Sequence, residues 1–191
     1  GGSTGINNWR PSSCTDMHQM FYEITGFNQP IGDWDTSSCT TMQDMFRRYH
    51  GLMTFDQDIG NWDVSSVTTM SQMFAGDAAD NAFNNGGSPS IGNWNTSSLT
   101  NINTMFKRCA SFNQSLSGWN VSSVTSASNF MNSCTLSTTN YDSTLSGWSS
   151  QAVQNGVSIH FGNSQYSTAT GLAFRNALVA SGWTITDGGA V

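Results

Sequence analysis

The chain has 191 residues, enough for one ordinary domain or a short repeat array. Only 9% of them are charged, twelve acidic against six basic for a net charge of −6, while Ser, Thr and Asn fill more than a third of the positions. That balance counts against a nucleic-acid binder, which needs a basic stripe to displace counterions, and seven Trp, eleven Phe and nine Met supply too much apolar surface for disorder. No run approaches the ~18 apolar residues of a membrane span. The start, Gly1-Gly2-Ser3, has no basic-then-apolar signal, so an export signal or anchor is expected outside this segment.

Self-similarity organises the chain. Trp9, Trp34, Trp62, Trp94 and Trp119 are spaced by 25, 28, 32 and 25 residues, and their surroundings match. The clearest unit, Phe55 to Phe74, reads F-D-Q-D-I-G-N-W-D-V-S-S-V-T-T-M-S-Q-M-F. Phe27 to Phe46 precedes it, later copies end at Phe106 and Phe130, and Y-D-S-T-L-S-G-W starts a sixth around Trp148. Apolar places are kept in register: Ile31, Ile59, Ile91, Leu116 and Leu145 before the Trp, and Cys14, Cys39, Val67, Leu99 and Val124 five places after it. One repeat cannot bury its own apolar face, but stacked repeats bury a shared one.

Within a repeat two elements are expected. The stretch from Phe to Trp suits an extended strand or turn. The stretch S-S-V-T-T-M-S-Q-M-F spaces apolar residues three, six and seven apart, as one face of a short helix does, with Asp63 or Ser65 as its N-cap. The strand can instead fall on W-D-V-S-S-V-T, which periodicity does not decide. An Asn/Asp column, Asn28, Asp56, Asn84, Asn113 and Asp142, is expected to point inward and hydrogen-bond the next turn of backbone. After Trp148, alternating Val157, Ile159 and Phe161 suggest a strand, Ser167 or Thr168 starts a helix bearing Phe174, Ala177 and Leu178, and Gly182 closes it before a strand at Trp183-Thr184-Ile185.

The F-N-Q-x-I-x-x-W-D-x-S-S-V-T-x-M-x-x-M-F unit resembles the BspA-like, Mycoplasma-lipoprotein-type surface repeat of the leucine-rich-repeat superfamily, over nearly the whole chain from about Trp9 to Gly189. The tail is similar to the cap that ends such arrays. The resemblance implies an α/β, right-handed leucine-rich-repeat-like solenoid of about 25–32 residues per rung, each a short strand plus a short helix or turn, closed by a C-terminal β-α-β cap. Residues 1–148 form the repeats and 149–191 the cap, within one domain. It further implies surface display and adhesion or recognition, and it carries over no catalytic residues. The irregular spacer from Ala75 to Ser90 departs from the pattern.

Cys14 and Cys39 share a place five after Trp, and Cys109 and Cys134 share one fifteen after Trp. Equivalent places in adjacent rungs lie ~4.8 Å apart when strands pair, so the expected disulfides are Cys14–Cys39 and Cys109–Cys134. Two buried thiol pairs are the alternative. Disulfides would indicate an oxidising compartment. Arg47/Arg48 and Lys107/Arg108 also share a place, and with Tyr49, His50 and the Ala75–Ser90 spacer they are the candidate binding edge for a cell-surface or matrix protein or a glycan. Ten of the twelve acids lie at or before Asp80, including Asp33, Asp35, Asp56, Asp58 and Asp63. Stacked Asp can offer oxygens to calcium, against the simpler reading as turn carboxylates; otherwise no cofactor is expected. His18, His50 and His160 stand alone, so no catalytic constellation is expected. The repeated Thr leaves a partial hydroxyl array of the kind an ice or crystal-surface binder needs. The reading in hand is a non-enzymatic extracellular recognition module, with a structural spacer or stalk as its rival.

Overall fold

The structure is a computed structural model, and it describes residues 5–6, 9–77 and 81–191. Burial of aromatic rings organises it. Trp9 stacks on Trp34 at 6.1 Å between ring centroids, Trp34 on Trp62 at 6.4 Å and Trp94 on Trp119 at 6.0 Å. Burying an indole requires a partner for its N–H. Each N–H finds one in the preceding repeat: Trp62 donates to the Ile31 carbonyl at 2.9 Å, Trp94 to Ile59 at 3.2 Å, Trp119 to Ile91 at 2.8 Å and Trp148 to Leu116 at 2.8 Å.

Beside the indoles run two files of phenylalanine. Phe21, Phe46, Phe74 and Phe106 stack at 5.4, 5.6 and 5.6 Å, and Phe27, Phe55, Phe83 and Phe112 at 5.8, 6.1 and 6.1 Å. Rings of the two files pair at 3.8–4.2 Å. Fully burying one such ring contributes roughly 1.5–3 kcal/mol. Phe83 fills a slot that the irregular spacer hides in the sequence.

The backbone between the rings is neither strand nor helix. Isolated parallel bridges join Asp16, Thr41, Thr69, Asn101 and Ser126 in succession. From there alternate amides point at the next repeat: Met17, Gln19, Phe21 and Glu23 donate to Thr41, Gln43, Met45 and Arg47 carbonyls, and the same four bonds recur at the next three interfaces, all at 2.8–3.1 Å. Amides in between close local turns, such as Met45 to Met42 and Arg47 to Asp44. The short helix expected in each repeat is therefore absent among the described residues. Its physical block is the left-handed residue ten places after each Trp: Gln19, Asp44, Gln72, Thr104 and Asn129, with φ of 54–59°. That is the third residue of a type II turn, and a helix cannot run through it.

The proposed helix caps serve turns instead. The Asp35 carboxylate accepts from the Ser37 hydroxyl and amide, and Asp63 from the Ser65 amide, the geometry of an Asx turn. Those bonds hold both carboxyls below the usual carboxylate range.

Regular structure begins late, with α1 (Thr138–Ser149), β1 (Ser158–His160), α2 (Gly171–Ala180) and β2 (Thr184–Thr186). The sixth Phe-to-Trp stretch is thus helical rather than extended. Ser137 Oγ caps it by accepting from the Asn140 amide, and the segment has no Gly until Gly147. Strands β1 and β2 pair in parallel, with Ile159 opposite Ile185. Ala127 bridges to Ile159, which attaches the sheet to the repeats. Helices α1 and α2 pack together, and Tyr141 on α1 donates to Asp187, which also receives Arg175 at 2.7 Å. Apart from these elements and two short 3₁₀ turns, the described chain is irregular and packed densely on one aromatic cluster.

Candidate functional site

Charges gather on the repeats fourteen places or so after each Trp. Arg47 lies 2.8 Å from Asp77 and 3.1 Å from Asp44, Lys107 lies 2.7 Å from Asp77, and His18 approaches Asp44 at 3.7 Å. Burial would raise the Asp77 pKa, but hydrogen bonds from Lys107 and Arg47 hold its carboxyl below the usual range. Two of the expected binding cations, Arg47 and Lys107, are thus bonded within the chain, through an Asp77 that the sequence reading did not single out. Arg108 lies in the same row; its amide donates to the Asn132 carbonyl.

Next to this row two loops from adjacent repeats lock together. The Glu23 carboxylate accepts from the Tyr49 and His50 amides, and Arg48 donates to the Glu23 carbonyl and to Thr25 Oγ1, each at 3.1 Å. Arg47 stacks over the Tyr49 ring at 4.6 Å. The lock presents Ile24, Tyr49 and Leu52 outward, 52%, 46% and 59% exposed. Ile24 and Leu52 were missed in the sequence. The place of Ile24 holds Tyr49, Asp77, Cys109 and Cys134 in the later repeats, so its column carries no constant character that would mark it.

The spacer contributes less surface than expected. Asn81 and Asn85 are buried, and Asn85 accepts from the Ile59 amide at 2.9 Å while donating to Ser88, Ser90 and Asp58. Its residues 78–80 lie outside the described residues. The Asn/Asp column links repeats through side-chain oxygens that accept from backbone amides of the next repeat: Asn28 from Asp56 at 2.9 Å, Asp56 from Asn84 at 2.7 Å, Asn84 from Asn113 at 3.0 Å and Asn113 from Ser137 at 2.8 Å. Its side chains lie at the surface, not inward, with Asn28 and Asn113 exposed. Asp142 leaves the column to bind the Ser167 amide and hydroxyl and Thr170 Oγ1 before α2.

All four cysteines are free thiols, which corrects the expected disulfides. Their S–H groups donate to backbone carbonyls instead: Cys14 to Asp16 at 3.2 Å, Cys39 to Thr41 at 3.1 Å, Cys109 to Phe74 at 3.3 Å and Cys134 to Phe106 at 2.7 Å. Register still makes neighbours of each pair, Cys14 acting on Cys39 and Cys134 on Cys109, and burial pushes the Cys39 and Cys109 thiols up.

A polar groove of about 430 Å³ opens on the first three repeats, lined by Arg10, Pro30, Gly32, Asp33, Gln57, Asp58 and Asn61. Asp58 is taken up by the Gly60 amide and the Ser90 hydroxyl. Among the described residues no group of three or more His, Cys, Asp or Glu converges as metal ligands. Among the described residues no helix is long and apolar enough to cross a membrane.

A family model described as Mycoplasma protein of unknown function, DUF285, matches residues 2–88 and again 53–171. No curated protein and no solved structure matches the chain. The two overlapping matches follow the repeats through all five Trp-centred units and into α2. The chain belongs to the DUF285 family of Mycoplasma proteins of unknown function.

Proposed function

We propose that this chain is a surface-displayed recognition module, a right-handed leucine-rich-repeat-like solenoid of 25–32 residues per rung that binds a protein or glycan partner without catalysing a reaction. Extracellular display and kinship with the BspA-like surface repeats are part of the same reading. The carrying observation is the Ile24–Tyr49–Leu52 edge. Three large apolar side chains stand exposed on neighbouring loops, Ile24 and Tyr49 next to the Glu23 and Arg48 bonds that join those loops. Clustered apolar exposure with a Tyr beside Arg is the composition of binding hot spots. His50 extends the edge, and Arg47 acts by orienting Tyr49 rather than by meeting the partner.

The test is a Tyr49→Ala/Leu52→Ser double variant, assayed on arrays of matrix proteins and glycans and on whole cells. A recognition edge loses its partner while far-UV CD and Tm stay unchanged, because both side chains are exposed. A second reading, a structural spacer, is favoured by one fact: Arg47 and Lys107 are already bonded to Asp77. A spacer predicts that the double variant retains every contact of the parent chain.

A further inference from the structure

The parallel bridges run on from the repeats into the cap. Asn101 pairs with Ser126, Ala127 with Ile159, Ser158 with Thr184 and His160 with Thr186. That register sets two outward files side by side over the junction, Ser126–Ser158–Thr184 and Ser128–His160–Thr186, with Ala127, Ile159 and Ile185 buried behind them. Over the repeats the side chains of these files are used up by the stack. Ser71 Oγ donates to the Asn103 carbonyl, Asn103 Nδ2 to Ser126 Oγ at 2.6 Å, and Asn103 Oδ1 accepts from the Ser128 amide and hydroxyl at 2.7 and 3.0 Å. Over the cap they are not. The Ser158, Thr184 and Thr186 hydroxyls and the side-chain amide of Asn129 make no hydrogen bond to any described residue. Two adjoining hollows of about 210 and 170 Å³ open over the junction and share Ser128 and Ser158. His160 lines the second, and its Nδ1 accepts from the Gly162 amide at 2.9 Å, which leaves the imidazole proton on Nε2 as an unspent donor. Gly162 is fixed in that turn, since its φ is 64° and a Cβ there would run into the Met131 and Cys134 carbonyl oxygens. The fold therefore sets the tautomer. No Asp, Glu, Lys or Arg lines either hollow.

We propose that this trough is a binding site for a neutral sugar unit of a glycan. The lining chemistry selects that ligand. A sugar presents adjacent hydroxyls, each both donor and acceptor, and the free Ser and Thr hydroxyls answer in both senses. Asn129 and His160 Nε2 add donors, and the Thr methyls and the imidazole edge offer an apolar surface to the C–H face of a ring. A carboxylate, sulfate, phosphate or divalent cation would give up hydration with no counter-charge to replace it. A peptide strand is disfavoured as well, because it would need open backbone groups to pair with. Those on the floor of the trough are spent: the His160 carbonyl accepts from the Met131 amide, the Thr186 carbonyl from Phe161, and the Val157 carbonyl from Thr184, all at 2.8 Å. The trough shares no residue with the Ile24–Tyr49–Leu52 edge, so the two readings stand or fall separately.

The experiment titrates the isotope-labelled full chain with lactose, cellobiose, mannobiose and chitobiose, and separately with a sulfated heparin disaccharide and a neutral Gly-Ser peptide, and follows the backbone amides by NMR. The expected result is a saturable shift at the Ser128, Ser158, His160 and Thr186 amides with at least one neutral disaccharide. In a Ser158→Ala/Thr186→Val variant that binding should weaken by about tenfold or more, as the loss of two hydrogen-bonding hydroxyls requires. Its Tm should match the parent's, because neither hydroxyl bonds within the chain. The Tyr49→Ala/Leu52→Ser variant should bind the sugar as the parent does. No shift with any of the four neutral disaccharides overturns the proposal, as do shifts confined to other amides or an affinity unchanged in the Ser158→Ala/Thr186→Val variant. Equal or stronger binding of the heparin disaccharide or the peptide at the same amides overturns the choice of a neutral sugar, and loss of binding in the Tyr49→Ala/Leu52→Ser variant overturns the choice of site.

Discussion

Replacing Asp77 by Asn isolates the ion row. The carboxylate accepts from Arg47 Nε and Nη2 at 3.1 and 2.8 Å and from Lys107 at 2.7 Å. Side-chain exposure is 17% for Asp77, 15% for Arg47 and 31% for Lys107, so solvent screens these bonds only in part. A charge-assisted bond contributes about 1.5–3 kcal/mol, but Arg47 keeps Asp44 and Lys107 can turn to water. A net loss of about 2 kcal/mol follows, or roughly 4–8 °C in Tm for a chain of this size. The pH dependence fixes the cause. The folded pKa of Asp77 lies below its unfolded value, so its contribution is complete above the unfolded carboxylate pKa of about 4 and disappears as pH falls through the folded pKa. Urea midpoints of parent and variant should differ at pH 7 and converge toward about pH 2. Equal midpoints at pH 7, or a gap undiminished in acid, would refute the reasoning.

Thr104 holds φ at 59°, a strained place for a β-branched residue, so Thr104→Gly should raise stability by about 1 kcal/mol by urea titration. Gly118→Ala would set a Cβ 2.4 Å from the Gly92 carbonyl oxygen, and a loss of about 2 kcal/mol is expected in the same assay. Phe74 is fully buried between Phe46 and Phe106, and Phe74→Ala should cost about 3–5 kcal/mol, measured as a fall in Tm. With a thiol-reactive disulfide at mildly alkaline pH, the half-buried Cys14 should react first and Cys109 and Cys134 only on unfolding; simultaneous labelling of all four would contradict the burial assigned to them.

Stacking was legible because burial acts column by column. A Trp, an Ile three before it and an apolar residue five after it recur only if they meet their counterparts, and they do. The cap was legible for the usual reasons: alternation at Val157–Phe161 and a glycine, Gly182, at φ 93° after α2. The turn that replaces the expected helix left no such mark. Its left-handed residue is Gln, Asp, Gln, Thr or Asn, none of them glycine, because four bonds to the next repeat impose the conformation against local preference. Phe83 and Asn85 were hidden for a different reason: the extra residues around them shift the spacing while the side chains still reach their files. Sulfur places were read correctly as neighbours and wrongly as bonded, since backbone carbonyls within reach already satisfy each thiol.

What a repeat keeps is what stacking needs, so the residues that differ between repeats are where a particular function can be written. The place fifteen after Trp makes the point. It holds Ile24, Tyr49, Asp77, Cys109 and Cys134 in turn. At the C-terminal repeats it is a buried thiol, in the middle an ion-paired carboxylate, and at the first two an exposed apolar side chain. The backbone there takes two forms: Glu23, Arg108 and Ser133, one place earlier, have positive φ, whereas Arg48 and Gly76 pair in a parallel bridge. One place in the repeat therefore carries three chemistries, and burial does not explain the first. Ile24 and Tyr49 stand at the surface beside a Glu and an Arg, and apart from the Arg47 guanidinium over the Tyr49 ring they cover nothing of the core. Their retention in the open is the reason to assign recognition to that edge and not to the many hydroxyls and amides whose bonds are spent on the stack itself.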